Sequence, residues 1–215
     1  MNGNRAPLEG ASLDPRQVDD LIALGTVRTY PKRTVVFQEG DESDQLYVVL
    51  SGRVKVYLAD QDGREIVLDT VGPGQYFGEM ALDGRPRSAS VITAEPSRLA
   101  VVPRANFERF LQAHPEAALG LAVTVIRRAR NLTRVAGSLA LLDVYGRVAR
   151  LLLDGAVQEG DRLVLRERLT QKEIAARVGA SREMVSRILT DLREGGFVSV
   201  DGDRIVIERT LPENW

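Results

Sequence analysis

The apolar residues of this chain change rhythm at Pro103. From Arg28 to that proline they come in short β-rich runs, VVF, LYVVL, RVKVYLA, EIVLDTV, SASVITA and RLAVV. Glycine or proline turns separate the runs, at Gly40, Ser51-Gly52, Asp62-Gly63, Pro73-Gly74 and Gly84. Strands of that length at that spacing predict an antiparallel jelly roll or barrel. Ahead of them, LDPRQVDDLIALG offers Asp14 as an N-cap and Pro15 at the first helical position, which predicts a short amphipathic helix packed on one side of the roll.

After Pro103 the rhythm becomes helical. From Pro115 onward, Ala118, Leu121, Val125, Arg128, Leu132, Val135 and Leu139 alternate spacings of three and four, with Arg128 as the one polar interruption. Such a stripe either lies on its own domain or forms the seam of a parallel dimer. The dimer is favoured, because the stripe outlasts what a small barrel can cover. The long dimerisation helix is expected over about 115–137, with the domain boundary at Gly137 and a second helix, LLDVYGRVARLLLDGA, following near it. The division is therefore residues 1–137 and residues 138–215.

The last third carries its own signature. In LTQKEIAARVGASREMVSRILTDLREGG, Thr170 with Glu173 makes a capping box, Ala175 is small where two helices cross, and Gly179 permits a sharp turn. Ser181 caps a second helix whose apolar face is Val185, Ile188, Leu189 and Leu192. FVSVDGDRIVI then predicts a hairpin turning at Asp201-Gly202. Together these read as a winged helix-turn-helix, which makes the chain α+β. Its second helix leaves Arg182, Glu183, Ser186 and Arg187 outside the apolar stripe. Arginine there can donate to guanine O6 and N7, and glutamate can accept from cytosine N4, in a major groove. Thr170, Gln171, Lys172, Arg177 and Arg193 are candidates for phosphate contacts that position the helix. The plainer alternative is a solvated face whose charges pair with neighbours. A net charge of -1 over 215 residues requires any nucleic-acid surface to be local.

Composition removes other classes. With 44% hydrophobic and 27% charged residues the chain is an ordinary globular sequence. It has no cysteine for disulfides, zinc thiolates or iron–sulfur clusters, no signal-peptide pattern and no apolar run of membrane-spanning length. A cytoplasmic protein without a membrane partner or metal is expected. No nucleophile elbow, HExxH or Walker loop is present, so no enzyme is expected.

The stretch FGEMALDGRPRSASV, Phe77 to Val91, holds an acid, a guanidinium and a hydroxyl on a glycine-rich segment. It resembles the phosphate-binding cassette of the cyclic-nucleotide-binding branch of the CRP/FNR transcription regulators. GASREMVSRIL resembles the recognition helix of the same family, and SLALLDVYGRVARLLL its hinge and first DNA-domain helix. The resemblance runs from about Leu21 to Ile207, with both motifs in the family's order.

The resemblance implies that Arg87 takes the exocyclic phosphate oxygens of a cyclic nucleotide. Ser88 and the N–H groups about Gly78, Met80 and Ala89 complete the cradle, and Glu79 takes the ribose 2′-OH. Elementary chemistry agrees: a guanidinium and exposed turn N–H groups favour a phosphate, whereas a carboxylate repels it and accepts from a hydroxyl. The alternative is a structural Glu79–Arg87 ion pair in a roll that binds nothing. The loop between them is slightly shorter than in the family's best-known activator. The family's adenine-contacting Thr-Ser pair falls at Leu132-Thr133, with Asn131 offering an amide one residue around the helix. Cyclic AMP is the first expectation, with cyclic GMP or cyclic di-GMP as replacements. Oxygen-sensing members need cysteines, and the only histidine, His114, stands beside Pro115 as a surface residue rather than a haem ligand.

The implied function is a bacterial homodimeric regulator that, when liganded, sets its helix-turn-helix on a palindromic TGTGA-like operator, with RNA polymerase as a further partner. Arg182 and Arg187 would meet guanines, and Glu183 a cytosine, while Ser181, Ser186 and the group about Thr170 support them. Alternatives are a ligand-independent or cyclic di-GMP-responsive regulator of the same fold, or a cyclic-nucleotide-binding subunit of an enzyme.

Overall fold

The computed structural model describes residues 13–211. They form two compact units, one reaching to Leu58 and resuming over Leu68–Leu132, the other comprising Ala59–Val67 and the chain from Thr133. Residues 1–12 of the expected first domain and 212–215 of the second lie outside the described residues.

The first unit opens on α1 (Pro15–Ala23). Asp14 caps it: its carboxylate accepts from the Gln17 backbone N–H at 2.9 Å, and the Gln17 side chain accepts from the Asp14 N–H at 3.1 Å. Eight strands follow: β1 (Thr26–Tyr30), β2 (Val35–Phe37), β3 (Gln45–Ser51), β4 (Val54–Ala59), β5 (Glu65–Val71), β6 (Tyr76–Phe77), β7 (Ser90–Thr93) and β8 (Ser97–Pro103). They make two four-stranded sheets, in the orders β1-β8-β3-β6 and β2-β7-β4-β5. The pairs β1–β8, β3–β8, β3–β6, β2–β7 and β4–β7 are all antiparallel. This is the expected jelly roll. The sheet region begins at Thr26, ahead of Arg28, and it includes the two-residue β6, too short to stand out in a scan of apolar runs.

Both faces of β3 and β8 are buried, and the side-chain alternation of a strand explains how. Tyr47, Val49, Leu99 and Val101 pack with Phe37, Phe77 and Val91 between the sheets. Leu46, Val48, Ala100 and Val102 point the other way, onto Leu21 of α1 and Phe107 and Phe110 of α2 (Arg104–Ala113). The β1-β8-β3-β6 sheet is thus a middle layer with helices outside it.

Helix α3 spans Pro115–Leu141. It runs through Gly137 and ends beyond the expected 137, and the next helix, α4, begins at Val144, within the expected LLDVYGRVARLLLDGA. The break is set by Asp143, whose carboxylate accepts from the Gly146 N–H at 2.7 Å and caps α4. The stripe on α3 also divides. Leu121 packs into the helix-covered core, whereas Val125, Leu132 and Leu139 stand exposed; Leu119 and Ile126, each one residue around the helix from the stripe, are exposed as well.

In the second unit, α4 (Val144–Gly155) leads to the hairpin β9 (Ala156–Glu159) and β10 (Arg162–Leu165). Helices α5 (Gln171–Val178) and α6 (Arg182–Glu194) follow, then the hairpin β11 (Val198–Asp201) and β12 (Arg204–Ile207). The strands form one antiparallel sheet, β11-β12-β10-β9. The expected hairpin at Gly202 is present, with φ +64 at that glycine. A second hairpin had an unread signal: EGDRLVL at β10 is nearly repeated as DGDRIVI at β12. Leu152, Ile174, Val185, Ile188 and Leu192 from α4, α5 and α6 pack with Val198 and Ile207 of the sheet in one core.

Among the described residues, no helix is long and apolar enough to cross a membrane.

Candidate functional site

A cavity of about 480 Å³ lies within the first unit, bounded by the roll on one side and α3 on the other. Gly78, Glu79, Met80, Arg87, Ser88 and Ala89 all line it, as do Asn131 and Leu132. Thr133 is not among its lining residues.

Glycine chemistry shapes the cassette. Gly78 sits at φ +80, a left-handed conformation that residues with a Cβ rarely adopt. A Cβ there would come within 2.8 Å of Arg87 Nη1. This turn leads into a 3-10 segment, Glu79–Asp83, closed by Gly84 at φ +77. Backbone bonds then pin the segment about Arg87: its N–H donates to the Asp41 carbonyl at 2.9 Å, and its carbonyl accepts from the Gly40 N–H at 2.9 Å.

The Arg87 guanidinium is only 5% exposed. Nη1 donates to the Gly78 carbonyl at 3.0 Å, and Nη2 donates to Ser43 Oγ and the Gln45 carbonyl, both at 2.6 Å. The group lies over the Phe37 ring, 4.2 Å from its centroid. Its Nε–H has no hydrogen-bond partner among the described residues. Burial pulls the Arg87 pKa down, with Tyr47 and Glu79 acting in the opposite direction. A buried guanidinium with an unused donor, facing a cavity, is suited to an anion. Ser88 is exposed beside it, its hydroxyl donating to Met80 Sδ at 3.1 Å.

The close partner of Glu79 is Arg128. Glu79 is 8% exposed, and its Oε1 lies 2.6 Å from Arg128 Nη1. Arg128 Nε also meets Asp69 Oδ2 at 3.2 Å, and Nη2 donates to the Tyr76 carbonyl at 2.7 Å. Burial opposes the Arg128 charge, but the adjacent Glu79 and Asp69 carboxylates outweigh it and hold the pKa above the ordinary value. Arg128 therefore does not interrupt an exposed seam. It turns toward the roll and ties α3 to the cassette. Its charge within an apolar stripe was the available signal, but nothing in the spacing said that three partners lay opposite it.

The cavity wall beyond the cassette is mostly carbon. Asn131 contributes an amide, and its Nδ2 donates to the Leu68 carbonyl at 2.8 Å.

In the second unit, the Thr170 hydroxyl accepts from the Glu173 N–H at 3.2 Å while Glu173 accepts from the Thr170 N–H at 2.8 Å. Gly179 ends α5 at φ +63, and Ser181 caps α6 by accepting from the Met184 N–H at 3.2 Å. With Val185, Ile188 and Leu192 buried, Arg182, Glu183 and Arg187 are exposed and Ser186 is half-buried. Lys172 and Thr170 are exposed and Gln171 half-buried at the start of α5. The Glu183 carboxyl lies below its ordinary range because its own backbone N–H and the Ser181 hydroxyl bond to it, with Arg182 and Arg187 adding attraction. Arg177 is engaged with Glu167 at 2.7 Å and is a weaker candidate for a phosphate than Lys172 or Arg193.

Comparison with known proteins supplies independent findings. The cyclic nucleotide-binding domain family model matches residues 27–114, and the Crp-like helix-turn-helix domain model matches residues 146–210. The chain is 32% identical to the cAMP-activated global transcriptional regulator CRP of Pasteurella multocida over 206 residues, covering 93% of this chain and 97% of that one. It is 37% identical over 183 residues to a CRP-like cAMP-activated global transcriptional regulator of Mycobacterium tuberculosis, covering 83% of this chain and 82% of the relative. Among solved structures, the c-di-GMP-responsive global regulator CLP of Xanthomonas campestris superposes with a TM-score of 0.80 at 31% identity, covering 92% of this chain and 100% of that chain.

Proposed function

This chain belongs to the CRP/FNR family of transcription regulators, and on that premise we propose that it is a homodimer whose affinity for an operator is set by a cyclic nucleotide in the cavity of the roll. Cyclic AMP is the first candidate, since the relatives in Pasteurella and Mycobacterium are cAMP-activated. The observation that carries the reading is the Arg87 guanidinium: buried, held by three protein acceptors, and left with an unpartnered Nε–H beside a cavity. In this reading Arg87, Ser88 and the N–H groups about Gly78, Met80 and Ala89 receive the phosphate. Glu79, oriented by Arg128, accepts from the ribose hydroxyl. A cytoplasmic regulator with no catalytic step follows, acting through DNA and RNA polymerase.

In this reading the roll and the long helix make the sensor, and DNA contact falls to the winged helix-turn-helix that follows. Arg182, Glu183, Ser186 and Arg187 enter the major groove, with Ser181, Thr170, Gln171 and Lys172 about the phosphates. Ligand alters DNA affinity only to the extent that it binds the DNA-competent conformation more tightly. The test is calorimetric titration of the full chain with cyclic nucleotides, with and without a TGTGA-type palindromic duplex. Tighter ligand binding in the presence of the duplex is expected. Equal affinity in both conditions would remove the allosteric claim.

Cyclic di-GMP is the second reading. It is favoured by Leu132, which lines the cavity and falls, by the family resemblance, at a position where a hydroxyl would meet adenine, and by the likeness to CLP. A titration with cyclic di-GMP in the same series separates the two.

A further inference from the structure

The sequence holds three methionines and no cysteine, so thioethers rather than thiols are what a peroxide can oxidise at sulfur. Met1 lies outside the described residues, and the other two stand in different units. Met184 is 37% exposed on α6, where its N–H donates to Ser181 Oγ. Met80 is 59% exposed and lines the cavity of the roll. Its backbone is fixed, because it belongs to the 3-10 segment Glu79–Asp83 between left-handed Gly78 and Gly84. Its Sδ accepts from the Ser88 hydroxyl at 3.1 Å, and Ser88 follows the buried Arg87 in the chain. A thioether is a weak acceptor, so an anionic oxygen entering the cavity takes that hydroxyl from it at little cost.

We propose that Met80 is a reversible modification site, at which oxidation by a hydroperoxide weakens the binding of the effector's anion to Arg87 and Ser88. The Met80 sulfur attacks the terminal oxygen of the hydroperoxide with a lone pair, so that an S–O bond forms, the O–O bond breaks and the sulfur gives up two electrons. The proton on the attacked oxygen passes to the departing one, which leaves as water or an alcohol. Thiol-dependent methionine sulfoxide reductases reverse the change, one enzyme for each sulfoxide epimer. The sulfoxide oxygen is a strong acceptor where the thioether was a weak one. It holds the Ser88 hydroxyl that a phosphate would otherwise receive, and it sets the negative end of the S–O dipole at the rim where the anion enters. The proposal rests on the cyclic-nucleotide reading of the cavity and adds a control of that same site.

The experiment is calorimetric titration of the full-length protein with cyclic AMP, cyclic GMP and cyclic di-GMP, before and after treatment with hydrogen peroxide that is then removed by catalase. Peptide mass spectrometry locates the added oxygen. Met80 is expected to gain it ahead of Met184, and affinity for whichever nucleotide binds the untreated protein is expected to fall about tenfold, the worth of one hydrogen bond to a charged group. Methionine sulfoxide reductases should return both the mass and the affinity. In Met80→Leu, whatever the affinity of the variant itself, peroxide should leave that affinity unchanged. An equal loss in treated Met80→Leu assigns the effect to another residue and overturns the proposal. Full oxidation of Met80 with less than about a threefold change in affinity overturns it too, as does conversion of Met184 ahead of Met80. These outcomes leave the effector site standing. If the untreated protein binds none of the three nucleotides, the effector reading falls and this control falls with it.

Discussion

Arg87 is a structural brace, and in the proposed function the same side chain is also the ligand group. Taken from the sequence, Arg87→Ala would spare the fold, since its partner would be a phosphate in a surface pocket. The structure alters that expectation: the guanidinium bridges Gly78, Ser43 and Gln45 and lies on Phe37, so its removal also loosens the cassette. Loss of one charge-assisted contact is worth about 1.5–3 kcal/mol, or roughly ten- to a hundredfold in cyclic-nucleotide affinity. Calorimetry should show that loss, and a thermal melt of the free protein should show a lowered midpoint. Unchanged affinity would remove Arg87 from the site. Arg128→Ala has a different signature. It leaves the buried Glu79 carboxylate without its guanidinium, which costs on the order of 3–5 kcal/mol when a buried pair is broken. Urea unfolding should detect the loss, and Arg128→Lys should recover only part of it, because one ammonium cannot span Glu79, Asp69 and the Tyr76 carbonyl with Arg geometry.

At the scale of elements, the proposed function has α6 separate positioning from reading. Ser181 satisfies the Met184 N–H, so Ser181→Ala should cost about 1 kcal/mol of stability by loss of an N-cap. Any effect on DNA should then be uniform across sequences. Arg182→Ala should instead cost about 1–3 kcal/mol per half-site at the preferred operator and relax the preference at one base pair. Lys172→Ala, at the start of α5, should weaken all duplexes alike and flatten the salt dependence. Selection of bound fragments from a random library distinguishes them. An unchanged consensus for Arg182→Ala would exclude it from base recognition.

For the whole molecule, the proposed homodimer would be expected to pack a second copy on exposed apolar residues of α3. Leu121 belongs to the covered core and Val125 lines the cavity, so neither isolates the interface. Ile126 is 53% exposed and outside the cavity, and Ile126→Glu places like charges opposite each other in a parallel pair. Sedimentation at micromolar concentration should show monomers, and a persistent dimer would move the interface away from Ile126 and its face of α3. Because linkage is reciprocal, the factor by which operator raises nucleotide affinity must equal the factor by which nucleotide raises operator affinity. Measuring both in one buffer gives the coupling twice over, and a factor of one in both directions would show that the two sites are uncoupled.

Features made by neighbours in the chain were readable from the residues alone. The Asp14, Thr170–Glu173 and Ser181 caps, the left-handed Gly179 and Gly202, and the turns between strands all depend on residues a few positions apart, and all appear in the structure. So did the family, because two local motifs carry it. The Asp143 cap is as local as these, whereas the end of α3 at Leu141 lies four residues beyond the expected 137. The partners of Arg128 were not readable: Asp69, Tyr76 and Glu79 come from distant strands and turns. Periodicity puts Leu121, Val125, Arg128 and Leu132 on one stripe, but the stripe meets a core at Leu121, a carboxylate at Arg128 and the cavity at Val125 and Leu132. Helical spacing orders side chains about an axis; only the packing of α3 against the curved roll settles which of them is covered, and by what.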